Sequence, residues 1–155
     1  MKKPNPAYIE QLNRIVSESP YFSLLSMKMV DIGIGFSLFE MDVDRKHFHP
    51  FGFTHGGVFA SIIDSAAFWA MHFDLDDPDS RMISVDLKLN FLAPAASGKL
   101  IARGRRIKHG KTLGYAEAEV TDEKGKILAH GTSTLMTLYD KGIFDKRSLP
   151  DKFLT

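Results

Sequence analysis

The chain has 155 residues, enough for one domain with a real core, and 44% of them are hydrophobic. Lys and Arg total 20 against 19 Asp and Glu, a net charge of +1, so no global field draws the protein to nucleic acid or anionic lipid. There is no cysteine, which excludes disulfides, thiolate nucleophiles, iron–sulfur clusters and cysteine zinc sites.

The opening "MKKPNPAYIEQL" carries two lysines without a following apolar region, which is not the pattern of a secretory signal. "NPAYIEQLNRIVSES" places Tyr8, Ile9, Leu12, Ile15 and Val16 at helical spacing, with Asn5 and Pro6 suited to the N-cap and first-turn positions. The expected helix runs from about 5 to 19 and ends at Ser19 and Pro20. "SLLSMKMVDIGIGFSLFEMDVD" alternates on both sides of the Gly33–Gly35 segment and reads as a hairpin. "RKHFHPFGF" reads as a loop. "HGGVFASIIDSAAFWAMHF" is the one long helix candidate; its apolar stretch is too short to span a membrane.

Beyond "DLDDPDS" the pattern changes to strands. "MISVDLKLNFLAP", "GKLIARGRRIKHG", "KTLGYAEAEV" and "KILAHGTSTLMTLY" follow one another, with a turn at 122–125. The polar tail from about 140 to 155 is expected to be flexible. Helix, two strands, long helix, four strands is not the alternation of a doubly wound sheet. It predicts an α+β domain over 1–155, with an antiparallel sheet wrapped against one central helix.

Three clusters could carry chemistry. The first is "HGG", His55 to Gly57, at the start of the long helix, where unpaired N–H groups and the dipole favour negative charge. The two glycines also serve as a plain turn with room for a neighbouring strand. The second is Asp64, inside the apolar helix. Its face also carries Gly57, Ala60, Ser61, Phe68 and Met71, while Phe59, Ile62, Ile63, Ala66, Trp69 and Ala70 spread toward the sheet. A carboxylate kept there is either paired with a loop or used. The third is the basic run Arg103, Arg105, Arg106, Lys108, His109 and Lys111. Its "GKT" ending is not a phosphate-binding P-loop, because five residues separate Gly104 from Gly110 where four are required, and a strand follows. It reads as a solvated hairpin edge or as a patch for a polyanion such as a nucleotide phosphate. His47, His49 and His55 lie close in sequence but have no acid or cysteine at ligand spacing, so no metal site is expected. His109 and His130 read as strand or turn residues.

Together these residues resemble the hotdog-fold acyl-CoA thioesterases, in the branch related to phenylacetate-pathway and hydroxybenzoyl-CoA thioesterases. The resemblance rests on "HGG" with an acid nine residues after the histidine (His55, Asp64), on "SVDLKLNFLAPA" from Ser84, and on the basic strand, "GKT" turn and Lys111–Val120. It runs from about Ser23 to Leu138. It implies a hotdog fold and a homodimer or homotetramer, joined sheet edge to sheet edge with active sites between subunits. Asp64 would then be general base or nucleophile, and the Gly56 N–H at the helix start would polarise the thioester oxygen beside His55. Ser84 would place the water or carboxylate from the facing subunit. His49 stands where relatives often carry Asn or Gln. Gly57, Arg106, Lys108, His109 and Lys111 would bind CoA. No cofactor, nucleic acid or membrane partner is expected, and the compartment expected is the cytoplasm. The alternatives are a non-catalytic acyl-CoA-binding domain and a hotdog dehydratase.

Overall fold

The computed structural model describes residues 2–75, 80–139 and 149–154. Short terminal strands β1 (Lys3–Pro4) and β8 (Phe153–Leu154) pair antiparallel with each other. Between them run α1 (Pro6–Ser17), α2 (Pro20–Leu25), β2 (Met27–Gly33), β3 (Phe36–Asp42), α3 (Gly56–Trp69), β4 (Ser80–Phe91), β5 (Lys99–His109), β6 (Leu113–Thr121) and β7 (Ile127–Tyr139). The main sheet is antiparallel throughout, in the order β2-β3-β5-β6-β7-β4. This is the expected α+β architecture.

The long helix lies against one face of the sheet because the strands beneath it carry very small residues. Ser37, Gly104, Ala118 and Gly131 stand opposite one another across β3, β5, β6 and β7. A Cβ on Gly104 would collide with the Ala66 carbonyl of α3, and one on Gly131 would come within 2.7 Å of the Ile63 side chain. Ser37 Oγ donates to the Ala66 carbonyl at 2.6 Å, fixing the helix along its axis. Ile62, Ile63, Ala66, Ala67 and Ala70 are fully buried there.

α1 closes the flank. Asn5 caps it, its side chain accepting from the Ala7 N–H, and Tyr8, Leu12 and Val16 are buried. α2 departs from expectation: Pro20, read as a helix end, sits at the start of a second short helix. Proline has no N–H to lose in a first turn and its φ is already helical. The tail departs too. Leu149 and Phe153 pack on the core, and Lys152 Nζ donates to the His72 and Leu75 carbonyls just past α3. Most of the tail lies outside the described residues. Among the described residues no helix is long and apolar enough to cross a membrane.

Candidate active site

The start of α3 is held by its neighbours. The Thr54 N–H and Oγ1 both donate to the Ala95 carbonyl at 2.8 Å, and the His55 N–H donates to the His47 carbonyl at 2.8 Å. His55 is the N-cap, and its Nδ1 accepts from the Gly57 N–H at 2.8 Å. The Gly57 N–H is therefore spent. The Gly56 N–H has no carbonyl four residues back to reach, and among the described residues nothing accepts from it. A side chain at either glycine would press on a neighbouring ring. A Cβ on Gly57 would lie 3.0 Å from the capping imidazole, and one on Gly56 3.1 Å from the Phe91 ring. The turn reading and the donor reading of "HGG" hold together.

His49 lies in the loop before the helix. Its Nδ1 accepts from the Phe51 N–H at 3.1 Å, which leaves Nε2 to carry the proton of the neutral ring. The same pattern occurs at His47, whose Nδ1 accepts from the Asp44 N–H while Nε2 donates to the Leu25 carbonyl. His47 is 1% exposed with both ring nitrogens occupied, so it ties α2 to the loop. Among the described residues no three His, Asp or Glu side chains gather as a metal would require.

Asp64 is half-buried on α3. Ser84 Oγ donates to its Oδ1 at 2.8 Å within the same chain. Ser84 therefore accompanies the carboxylate of its own chain. The cause is a bulge in β4: pairing with β7 shifts between Ser84 and Asp86, leaving Val85 extra. Even-numbered residues (Ser80, Met82) are buried before the bulge, and the odd-numbered Leu87 and Leu89 turn inward after it. Bulges commonly re-aim a side chain at a site in this way. Met71, expected on the Asp64 face, is fully buried instead, because the helix ends at Trp69 and the chain turns under the sheet end near Gly114.

A cavity of about 480 Å³ opens beside Asp64. Tyr21 and Phe22 of α2, Ser61, Phe68 and Trp69 of α3 and Leu87 of β4 line it. The α2 contribution has no counterpart in the sequence reading, which ended the first helix at Pro20.

The basic run divides. Arg106 is ion-paired with Asp74, whose side chain is 8% exposed and whose other oxygen meets no partner among the described residues. Arg105 pairs with Glu117, and Arg103 donates to Thr121 Oγ1. Burial alone would raise the Glu117 carboxyl, but hydrogen bonds from Arg105 and His130 and their charges hold it below the ordinary range. Lys108, His109 and Lys111, around the β5–β6 turn, are exposed, and among the described residues no acid engages them.

An antiparallel sheet laid against one long helix is the hotdog architecture. Residues 51–129 match the thioesterase superfamily, and the chain belongs to that family. It is 31% identical over 97 residues to acyl-coenzyme A thioesterase 13 of Mus musculus, covering 61% of this chain and 68% of that one. It is 27% identical over 111 residues to the 1,4-dihydroxy-2-naphthoyl-CoA hydrolase of Listeria monocytogenes, covering 72% and 89%. A solved thioesterase structure from Haemophilus influenzae superposes with a TM-score of 0.79 at 26% identity, covering 90% of this chain and 96% of that one.

Proposed function

We propose that the protein hydrolyses the thioester bond of an acyl- or aryl-CoA, with Asp64 as the reacting carboxylate. The observation that carries this is the setting of Asp64: a carboxylate without a cation among the described residues, oriented by Ser84 Oγ at 2.8 Å and opening on a cavity. As general base, Asp64 takes a proton from water whose oxygen attacks the thioester carbon; as nucleophile, it attacks that carbon directly and water then cleaves the resulting anhydride. In both courses the C–S bond breaks, the CoA thiolate leaves and is protonated, and the carboxylic acid is released. The Gly56 N–H, at the positive end of α3, stabilises the negative charge on the carbonyl oxygen, and His49 Nε2–H offers a second donor. No cofactor is needed.

Gly56 and Asp64 cannot act on one carbonyl within one chain. Eight residues of α-helix separate them by about 12 Å. A second copy supplies the missing half. β4 is an edge strand paired only with β7, and it runs along α3 with Ser84 beside Asp64 and Phe91 beside Gly56. A two-fold axis near the middle of β4 exchanges those ends and brings the partner's carboxylate toward Gly56, while covering an edge that would otherwise aggregate. Lys108, His109 and Lys111 are free to take the CoA phosphates; Arg106 is occupied by Asp74. The test is release of free thiol from a panel of acyl- and aryl-CoA thioesters by the wild type and by Asp64→Asn. Equal turnover by both would sink the assignment of Asp64.

A further inference from the structure

One wall of the Asp64 cavity comes from neither the sheet nor the long helix. Tyr21 and Phe22 of α2 supply it, and Leu87 of β4 and residues of α3 complete the lining. A helix of six residues does not hold itself, and none of its residues is buried. Three contacts fix its position. The Phe22 ring rests on Phe39, centroids 5.9 Å apart. The Leu25 carbonyl accepts from His47 Nε2 at 2.8 Å. The Tyr21 hydroxyl meets Ser61 Oγ at 2.6 Å.

The first two contacts tie α2 to the sheet and the loop; the last joins it to α3, three residues before Asp64. Its direction is fixed. Ser61 Oγ donates its own proton to the Gly57 carbonyl at 2.8 Å, so the tyrosine must donate to Ser61. Tyr21 is 53% exposed, so this bond competes with water and is weak enough to be broken by one substitution. Phe22 and Leu25 keep α2 itself packed on the core, but among the described residues no other hydrogen bond holds the Tyr21 side chain over the cavity.

We propose that Tyr21 is a specificity-determining residue. Its hydroxyl, latched to Ser61, keeps the Tyr21 ring in place as the wall that limits acyl length, so the cavity takes compact ring acyl groups and turns extended alkyl chains away. The aromatic lining of Tyr21, Phe22, Phe68 and Trp69 offers flat faces to such a ring. This inference rests on Asp64 being the reacting carboxylate beside which the acyl group lies.

Trp69 is the chain's single tryptophan and lines the cavity, so its fluorescence reports occupancy without turnover. The intact protein is titrated with benzoate, 2-naphthoate, octanoate and dodecanoate. The wild type should bind the ring acids more tightly than dodecanoate. In Tyr21→Phe and in Ser61→Ala the dodecanoate-to-benzoate affinity ratio should rise about two- to tenfold, the range of one neutral hydrogen bond. The double variant should go no further, because both changes remove the same bond. A lowered melting temperature with an unchanged ratio would make the latch merely structural and overturn the proposal, as would additive effects or a wild type without preference for rings. The ratio is then measured again as kcat/KM on benzoyl-CoA and dodecanoyl-CoA. A protein that shows the acid-binding pattern but releases thiol from no member of the acyl- and aryl-CoA panel would refute the hydrolase reading and leave Tyr21 as a selector of bound acids only.

Discussion

In the proposed reaction Asp64 and Gly56 divide the chemistry, and each can be removed with little change of shape. Asn in place of Asp64 keeps the contact with Ser84 but cannot act as base or nucleophile. Turnover should fall by ~10²-fold or more, while melting shifts by less than about 1 kcal/mol because the carboxylate is only half-buried. Ser84→Ala should cost less, since it orients the carboxylate without reacting. Pro in place of Gly56 deletes the N–H at the position where a helix best accepts proline, and His55 already has the extended backbone (ψ 141°) that a following proline demands. The Phe91 ring in front of it is 60% exposed and can move aside. Gly56→Pro should therefore fold and lose about 10²- to 10³-fold in kcat, the scale of one missing oxyanion donor. Wild-type kcat in a folded Gly56→Pro protein would place the oxyanion elsewhere. Within the basic run the outcomes should split. Lys108→Ala and Lys111→Ala should raise KM for acyl-CoA and leave KM for an acyl-pantetheine thioester unchanged, because only CoA carries nucleotide phosphates. Arg106→Ala should act on melting instead, at about 1–3 kcal/mol, by stranding the nearly buried Asp74 carboxylate.

Among the elements, α1 carries a group whose behaviour in alkali can be worked out. The Tyr8 hydroxyl is buried against His72 Nε2 at 2.6 Å, and burial pushes its pKa up to about 12 from an ordinary 10.0. The folded state therefore holds this proton more tightly than the unfolded chain. Below pH 10 both states are protonated and the fold keeps the full contribution; between about 10 and 12 the unfolded chain ionises first and stability drains away. Tyr8→Phe should be less stable at pH 8 by about 1 kcal/mol, the loss of a hydrogen bond, with the difference from wild type shrinking above pH 10. Thermal melts across that range decide it; a constant difference would mean Tyr8 ionises as freely in the fold as outside it. The elements that pattern revealed are those long enough to show a period: α1 with its Asn5 cap, α3, and β2 to β7. α2 and the β1–β8 pair were hidden because a handful of residues has no period, and because Pro20 marks a helix start as readily as an end. Of the candidate site, the placement was legible where one element carries it, as with Gly56 and Asp64 on α3. The contacts of Ser84 with Asp64, Tyr21 with Ser61 and Arg106 with Asp74 depend on a bulge, a short helix and a turn after α3, which join residues far apart in sequence.

At the level of the whole molecule, the proposed roles of Gly56 and Asp64, about 12 Å apart along α3, would make the monomer an incomplete catalyst. If each site takes its N–H from one subunit and its carboxylate from the other, a dimer of Gly56→Pro with Asp64→Asn contains one site with both groups intact and one with neither. The intact site pairs Gly56 of the Asp64→Asn chain with Asp64 of the Gly56→Pro chain. Co-refolding equal amounts of the two inactive variants should then restore roughly a quarter of wild-type activity, since random pairing makes half the dimers mixed and half their sites intact. Two dimers assembled into a tetramer give the same fraction. Refolding each variant alone controls for misfolding, and light scattering on the mixture shows whether the subunits associate. A mixture that associates but stays as inactive as its components would mean that a single chain holds the whole site, and the two-fold arrangement along β4 would have to be abandoned.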